Sequence, residues 1–303
     1  MSTKRSGEFS WIAEHFAPLA GEGSFGLRDD AALLQTDGPI VLTQDTIVEG
    51  IHFLPDDPPG TVAGKALRVN VSDVVAKGAR PDAVLLSLGV PERWGNGHVA
   101  DFAAGLGADL ERYRLRLVGG DTTASPDRLF VTVTMTGRPI RAHVSRLGAR
   151  PGDAICLLGP VGDGSAGLHE AREGRAGDLA DRYRLPPVDL GAAELVATHA
   201  SAAMDVSDGL IGDLEKLCAA SGVRGEVALE RLPVSPEVRA WMQRSGRTLI
   251  DLATGGDDYV VLMTTAQPPP NAAVIGRITQ GKDVGVSLDG VPVTIGRASY
   301  IHD

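Results

Sequence analysis

The residues with the clearest chemical potential are aspartates. Asp29, Asp30, Asp45, Asp73, Asp121, Asp205, Asp208 and Asp257 each fall where the sequence reads as a turn or a strand end, and no histidine or cysteine joins them at metal-ligand spacing. A ligand set of oxygens alone selects a hard cation, Mg2+ or Mn2+, over zinc. Two carboxylates roughly 4 Å apart repel by about 4 kcal/mol at an effective dielectric of about 20, so such acids share a site only with cations between them. Taken singly, each aspartate is equally a turn former or helix cap. Two of them follow paired glycines, Gly119-Gly120-Asp121 and Gly255-Gly256-Asp257, and such turns let backbone N–H groups approach a phosphate. The usual phosphate loops are missing: no G-x-x-x-x-G-K-[ST] occurs, the turn at 159–165 has no lysine after its glycines, and neither H-R-D nor D-F-G is present. The pattern points to a polyphosphate bound through several Mg2+ ions.

These acids need strands and helices to carry them. Phe9, Ile12, Ala13, Phe16 and Leu19 recur at helical spacing. Gly21, Gly23 and Gly26 match G-x-G-x-x-G, but a helix precedes them rather than a strand, so they form a flexible loop. A strand through Val41 and Leu42 ends in Asp45, Glu49 and His52, and a helix capped by Thr61 runs to about Ala79 with Asn70, Ser72 and Asp73 inside it or at a break. Residues 82–90 form a buried strand. A helix capped by Asn96 keeps Val99, Phe102, Ala103, Leu106, Leu110 and Tyr113 on one face. Next come a strand ending in the Gly119-Gly120-Asp121 turn and an antiparallel strand alternating Val131, Val133 and Met135 with threonines. The Gly-, Pro- and Arg-rich segment 137–153 marks a domain boundary and divides the chain into 1–140 and 141–303.

The second half opens with a strand at 153–159 and a Gly-rich turn, followed by a charged patch at 169–184 read as mobile and a helix at 188–199. Ala202, Ala203 and Met204 form a strand that leads into Asp205-Val206-Ser207-Asp208. Leu210, Leu214, Leu217 and Cys218 then recur at helical spacing, which puts the acids on the turn between strand and helix. Carboxylates beside the free N–H groups of a helix start can hold a hard cation. After a strand, a helix at 235–244 and a turn into the strand at 260–263, the tail reads as β-hairpins. A faint repeat links the halves. Asn70-Val-Ser-Asp73 resembles Asp205-Val-Ser-Asp208, and a Gly-Gly-Asp follows at 48 residues (121 − 73) and 49 residues (257 − 208). Each half is thus expected to offer a Ser-Asp turn, a helix and a strand-associated Gly-Gly-Asp.

Composition excludes several roles. The formal net charge is −10, which argues against a nucleic-acid partner. Apolar runs are too short to span a membrane, and the basic N-terminus lacks the apolar core of a secretory signal. Cys156 and Cys218 form neither a disulfide framework nor a metal spacing, as in a cytoplasmic protein with reduced thiols.

The strings GEFSWIAEHF, DDAALL, QDTIVEGIHFLPD, NVSDVVAKGARP, LVGGDTT, SRLGARPGD, GDGSAGL, MDVSDGL and GGDDY occur in the order seen in the thiamine-monophosphate kinase family. That family lies within the aminoimidazole ribonucleotide synthetase-like ATP-binding superfamily, and the resemblance spans nearly the whole chain. It implies an α/β (α+β) two-domain fold whose N-terminal sheets pair into a β-barrel across a homodimer, with a C-terminal α/β domain. The implied activity is transfer of the ATP γ-phosphoryl group to thiamine monophosphate, with several Mg2+ ions and no general base. On this resemblance Asp30, Thr43, Gln44, Asp45, Asp73, Asp121, Asp205 and Asp208 hold Mg2+. Gly120, Asp121, Arg146 and Ser207 contact ATP, with Tyr113 a candidate for stacking on adenine, while His52, Asp257 and Tyr300 face thiamine monophosphate. This chain departs from the family at Arg28, Gln44, Lys77, Asp257 and Val260 and at its C-terminus. Gln44 is expected to contribute only its backbone carbonyl. The competing readings are another enzyme of the superfamily and a nucleotide-binding partner protein without turnover. Selenophosphate synthetases carry a reactive cysteine near the N-terminus, where this chain has none before Cys156.

Overall fold

The computed structural model describes residues 8–27, 34–296 and 298. Two compact units emerge: Met1–Val74 with Arg80–Arg138, and Val75–Ala79 with Pro139–Asp303.

The first unit begins with a short helix α1 (Glu8–Trp11), continued by a π turn over Ile12–Phe16 and a 3-10 turn over Ala17–Leu19. The expected helix is therefore distorted, and its anchors are the buried Trp11 and Phe16. Trp11 Nε1 donates to Asn96 Oδ1 at 2.9 Å. Strand β1 (Val41–Val48), helix α2 (Pro59–Ala76), strand β2 (Ala79–Pro91), helix α3 (Asn96–Tyr113), strand β3 (Arg116–Ser125) and strand β4 (Phe130–Pro139) follow. Proline at the first position starts α2 with its φ already helical. The sheet order is β1-β4-β2-β3, with β1 antiparallel to β4 and β2 parallel to β3. Val131, Val133 and Met135 of β4 are buried, as their alternation with threonine predicts. Helices α2 and α3 meet closely at Gly60 and Gly105, where a Cβ on Gly105 would lie 2.2 Å from the Gly60 carbonyl oxygen. The buried pair Arg68–Asp109 also joins them, bidentate at 2.6 and 2.9 Å. One face of the sheet is left open, and Leu42 and Leu85 on it are 64% and 42% exposed.

The second unit is built on a seven-stranded sheet. Its elements are β5 (Ala154–Leu157), α4 (Asp163–Arg172), α5 (Asp178–Arg184), α6 (Ala192–His199), β6 (Ala202–Val206), α7 (Leu210–Ser221), β7 (Arg224–Ala228), α8 (Pro236–Ser245), α9 (Leu249–Thr254), β8 (Val260–Thr265), β9 (Ala273–Thr279), β10 (Val284–Leu288) and β11 (Val291–Val293). The strand order is β11-β10-β7-β9-β5-β8-β6. The apolar positions of α7, Leu210, Leu214, Leu217 and Cys218, are all buried, in one cluster with Met204 and Val206 of β6.

Four sequence expectations are corrected here. Asn70–Asp73 lies inside α2, as one of the two readings of that stretch had it, so the first half lacks the Ser-Asp turn expected of the repeat, whereas Asp205–Asp208 closes β6. Gly119-Gly120-Asp121 lies within β3 beside a bulge, not on a turn. The two halves of the apparent repeat thus differ in local conformation, because four-residue strings do not fix backbone state without their packing. Among the described residues the tail holds one hairpin, β10–β11, since β7 inserts between β9 and β10. The charged patch at 169–184 is not a loop: it spans the end of α4 and all of α5, with Leu179, Ala180 and Tyr183 buried and Arg182 paired to Asp163 at 2.9 Å. Among the described residues no helix is long and apolar enough to cross a membrane.

Candidate functional site

In the first unit the acids form two stations at opposite edges of the sheet. Alternation along β1 sends Thr43, Asp45 and Ile47 to the face covered by α2. There the Thr43 hydroxyl donates to Asp73 Oδ2 at 2.6 Å, and Asp73 is half-buried on the last turns of α2. Gln44 points to the other face, where its Oε1 accepts from Thr134 Oγ1 at 2.7 Å. Its side chain is therefore turned away from the Thr43–Asp73 pair, leaving only its backbone on that side. His52 follows on the turn after β1. The Val48 N–H donates to its Nδ1 at 3.0 Å, so the neutral ring carries its proton on Nε2. Lys65 Nζ donates to the His52 carbonyl at 2.9 Å.

Asp121 and Gly120 occupy β3, at the far edge. Three strand spacings of about 4.8 Å separate β3 from β1. Asp121 pairs with Ser87 and lines a cavity of about 700 Å³ on the open face, together with Leu42, Leu85, Thr134 and Thr136. Gly120 has φ +155°, and a Cβ there would lie 1.8 Å from the Leu86 carbonyl oxygen, so this strand position requires glycine.

In the second unit three turns converge. Asp205 is buried near the end of β6, paired with Val261. The Ser207 and Asp208 amides both donate to Asp213 Oδ2, at 3.0 and 3.1 Å. Lys216 Nζ bridges Asp208 Oδ2 at 2.6 Å and Asp213 Oδ1 at 2.8 Å. Burial raises the pKa of Asp213, and Lys216 offsets that rise only in part. Burial alone would lower that of Lys216, but the two carboxylates outweigh it and keep the ammonium charged.

The Gly255–Tyr259 turn lies against this one. The Asp257 amide donates to the Ser207 carbonyl and the Tyr259 amide to the Val206 carbonyl, each at 2.8 Å. A Cβ on Gly256 would sit 2.4 Å from the Ser207 carbonyl oxygen. Asp257 and Tyr259 both adopt left-handed backbone conformations, φ +68° and +51°, a strain that clusters at functional positions. The Tyr259 hydroxyl donates to Asp257 Oδ1 at 3.0 Å and fixes that carboxylate. Asp258 between them is 4% exposed and accepts from Gly162 N, at 2.9 Å to each oxygen, and from Gly164 N at 3.1 Å. Burial pushes its pKa up to about 8. It pins the start of α4 beneath the turn.

Ser207, Asp208 and Asp257 are therefore brought together. Arg146 is not: its carbonyl accepts from Ser221 at the end of α7, and Ser145 pairs with Ala203 at the start of β6, the opposite end of both elements from Ser207. Asp29, Asp30 and Tyr300 lie outside the described residues. Tyr113 is buried with the Arg68 and Arg112 guanidinium groups each 5.8 Å from its ring centre, so it offers no face to adenine. Sequence reasoning missed Asp213, Lys216 and Asp258. An acid among the apolar positions of α7 was the legible signal for Asp213, and Asp258 stood inside the GGDDY string; nothing marked Lys216.

Thr43, Asp45 and Asp73 offer only oxygen donors, the kind a hard cation takes; Thr43 and Asp73 are in contact and Asp45 lies on the same face of β1. Comparison with known proteins defines the lineage. The model of the AIR synthase related protein N-terminal domain matches residues 28–138, and that of the C-terminal domain matches residues 150–289. The thiamine-monophosphate kinase of Caulobacter vibrioides is 35% identical, over 97% of this chain and 90% of its own length.

The chain belongs to the thiamine-monophosphate kinase family.

Another member of this family, from Escherichia coli K12, is 32% identical over 98% of both chains. Among solved structures, AaThiL complexed with AMPPCP and TMP superposes with a TM-score of 0.81 at 32% identity, covering 93% of this chain and 97% of that one. The two-domain architecture of this thiamine-monophosphate kinase family member is that of the AIR synthase related proteins.

Proposed function

We propose that this chain transfers the γ-phosphoryl group of ATP to thiamine monophosphate, giving thiamine diphosphate and ADP. The carrying observation is the likeness, over nearly the whole chain, to AaThiL complexed with AMPPCP and TMP. The acceptor is a phosphate oxygen, already ionised near neutral pH because its second pKa is about 6. It attacks the γ-phosphorus as the bond to the bridging oxygen of ADP breaks, so no side chain need remove a proton. What remains is alignment and charge neutralisation. Mg2+, when bound, would neutralise the developing charge on the phosphates.

Asp30, Asp45, Asp73, Asp121 and Asp205, with Thr43 and the Gln44 carbonyl, would hold those ions. Gly120 and Ser207 would contact ATP, and Arg146, at the opposite end of β6 and α7 from Ser207, would meet a different part of the nucleotide. The strained, bonded Asp257, with His52 and Tyr300, would orient thiamine monophosphate. The exposed Leu42 and Leu85 and the apolar cavity support a homodimer in which the open face pairs with a second copy and closes a β-barrel. The net charge of −10 disfavours nucleic acid and anionic membrane as partners, and the free, buried Cys156 and Cys218 suit the cytoplasm. Incubating the pure protein with ATP, Mg2+ and thiamine monophosphate tests the reading: thiamine diphosphate must appear. ATP hydrolysis indifferent to thiamine monophosphate would favour another enzyme of the superfamily, and no turnover a binding protein.

A further inference from the structure

Lys216 occupies the place where an ion would be expected. Its ammonium lies 2.6 Å from Asp208 and 2.8 Å from Asp213. Asp213 is completely buried and spends its other oxygen on the Ser207 and Asp208 amides, so two carboxylates, two amides and one ammonium close a ring around the turn. A divalent ion on either oxygen of the Asp208 carboxylate, at a coordination distance of about 2.1 Å, would share that group's charge with the ammonium and be repelled by it. Lys216 is held from both sides and also by its helix, three residues along α7 from Asp213. Its side chain is 40% exposed, so one N–H of the three remains directed away from the two carboxylates.

We infer that Lys216 takes the place of a metal ion at Asp208, neutralising that carboxylate and offering its third N–H to a phosphate oxygen of the nucleotide. The inference rests on the kinase reading and stands in place of the expectation that Asp208 holds a further Mg2+. A compact ammonium can do both tasks, since it is a point charge with three rotatable donors and a usual phosphate partner.

The test counts ions on the full chain. Bound Mn2+ is measured by electron paramagnetic resonance at saturating AMPPCP in wild type, Lys216→Met, Asp208→Asn and the double variant. Lys216→Met should bind one more Mn2+ per chain than wild type, the double variant should lose it again, and Asp208→Asn alone should leave the wild-type count unchanged. A wild-type count that drops by one on Asp208→Asn overturns the inference, as does a folded Lys216→Met with the wild-type count. Should Lys216→Met fail to fold, the Asp208→Asn count in the wild-type background decides alone. If wild type takes up no Mn2+ with AMPPCP, the kinase reading itself fails, and the inference with it.

Discussion

Asp258 is a carboxyl group with almost no water and two backbone donors. Burial raises its pKa to about 8. In the unfolded chain it ionises near its ordinary 3.8, and in the native state it keeps its proton until about pH 8. Between those values the native state holds the extra proton, so the stability the group contributes is lost as pH rises through this window. An amide at this position, in Asp258→Asn, has no proton to titrate. The Tm of wild type should therefore fall relative to Asp258→Asn as pH rises from about 4 to about 8. A constant difference would mean the native carboxyl is ionised throughout. Asp258→Ala leaves Gly162 N and Gly164 N without an acceptor, at about 1–3 kcal/mol for each buried donor, measurable by urea unfolding. At Asp73, replacement by Asn removes the charge that accepts the Thr43 hydroxyl and should weaken Mg2+ affinity about tenfold or more. Isothermal titration with Mg2+ and AMPPCP checks it, and unchanged affinity would move the ion elsewhere.

Elements place these residues through close backbone approaches. The 255–259 turn touches the 206–208 turn only because Gly256 lacks a side chain. Gly256→Ala must push the Ser207 carbonyl away, at a cost of about 1–3 kcal/mol, and should lose kinase turnover while far-UV circular dichroism stays native. Gly97 is the control: a Cβ there meets nothing within 4 Å, so Gly97→Ala in α3 should leave Tm and turnover near wild type. Equal effects of the two substitutions would mean that the close turn-to-turn approach is not what matters. The elements also explain why only part of the site was legible. Strand β1 was readable, and its period of two puts Thr43 and Asp45 on one face and Gln44 on the other. Asp73 joined them only through the packing of α2 on that face, a contact 30 residues apart in sequence.

At the scale of the molecule, an open sheet face and an acidic surface set the remaining expectations. Leu42, 64% exposed on that face, should be covered in a dimer. Leu42→Asp should shift the sedimentation coefficient from dimer to monomer and remove turnover; a wild type that already sediments as a monomer would refute the pairing. With a net charge of −10, a nucleotide meets repulsion unless metal stands between. Excess EDTA should abolish AMPPCP binding in equilibrium dialysis, and undiminished binding would contradict the acid-and-metal account.

The sequence by itself determined the chemistry class, the helix faces and the strand alternation, because residue type and period act locally. Val99, Phe102, Leu106 and Leu110 are buried where their spacing put them, and motif order carried the family. The tertiary structure alone decided which acids meet. It put Asn70–Asp73 in a helix and Asp205–Asp208 at a strand end from near-identical strings, and it set Asp121 at the opposite edge of the sheet from Asp45. It also paired Lys216 with Asp208 and bonded the buried Asp258 to the start of α4. Those outcomes depend on contacts between residues distant in the chain, which no local pattern of residue types encodes.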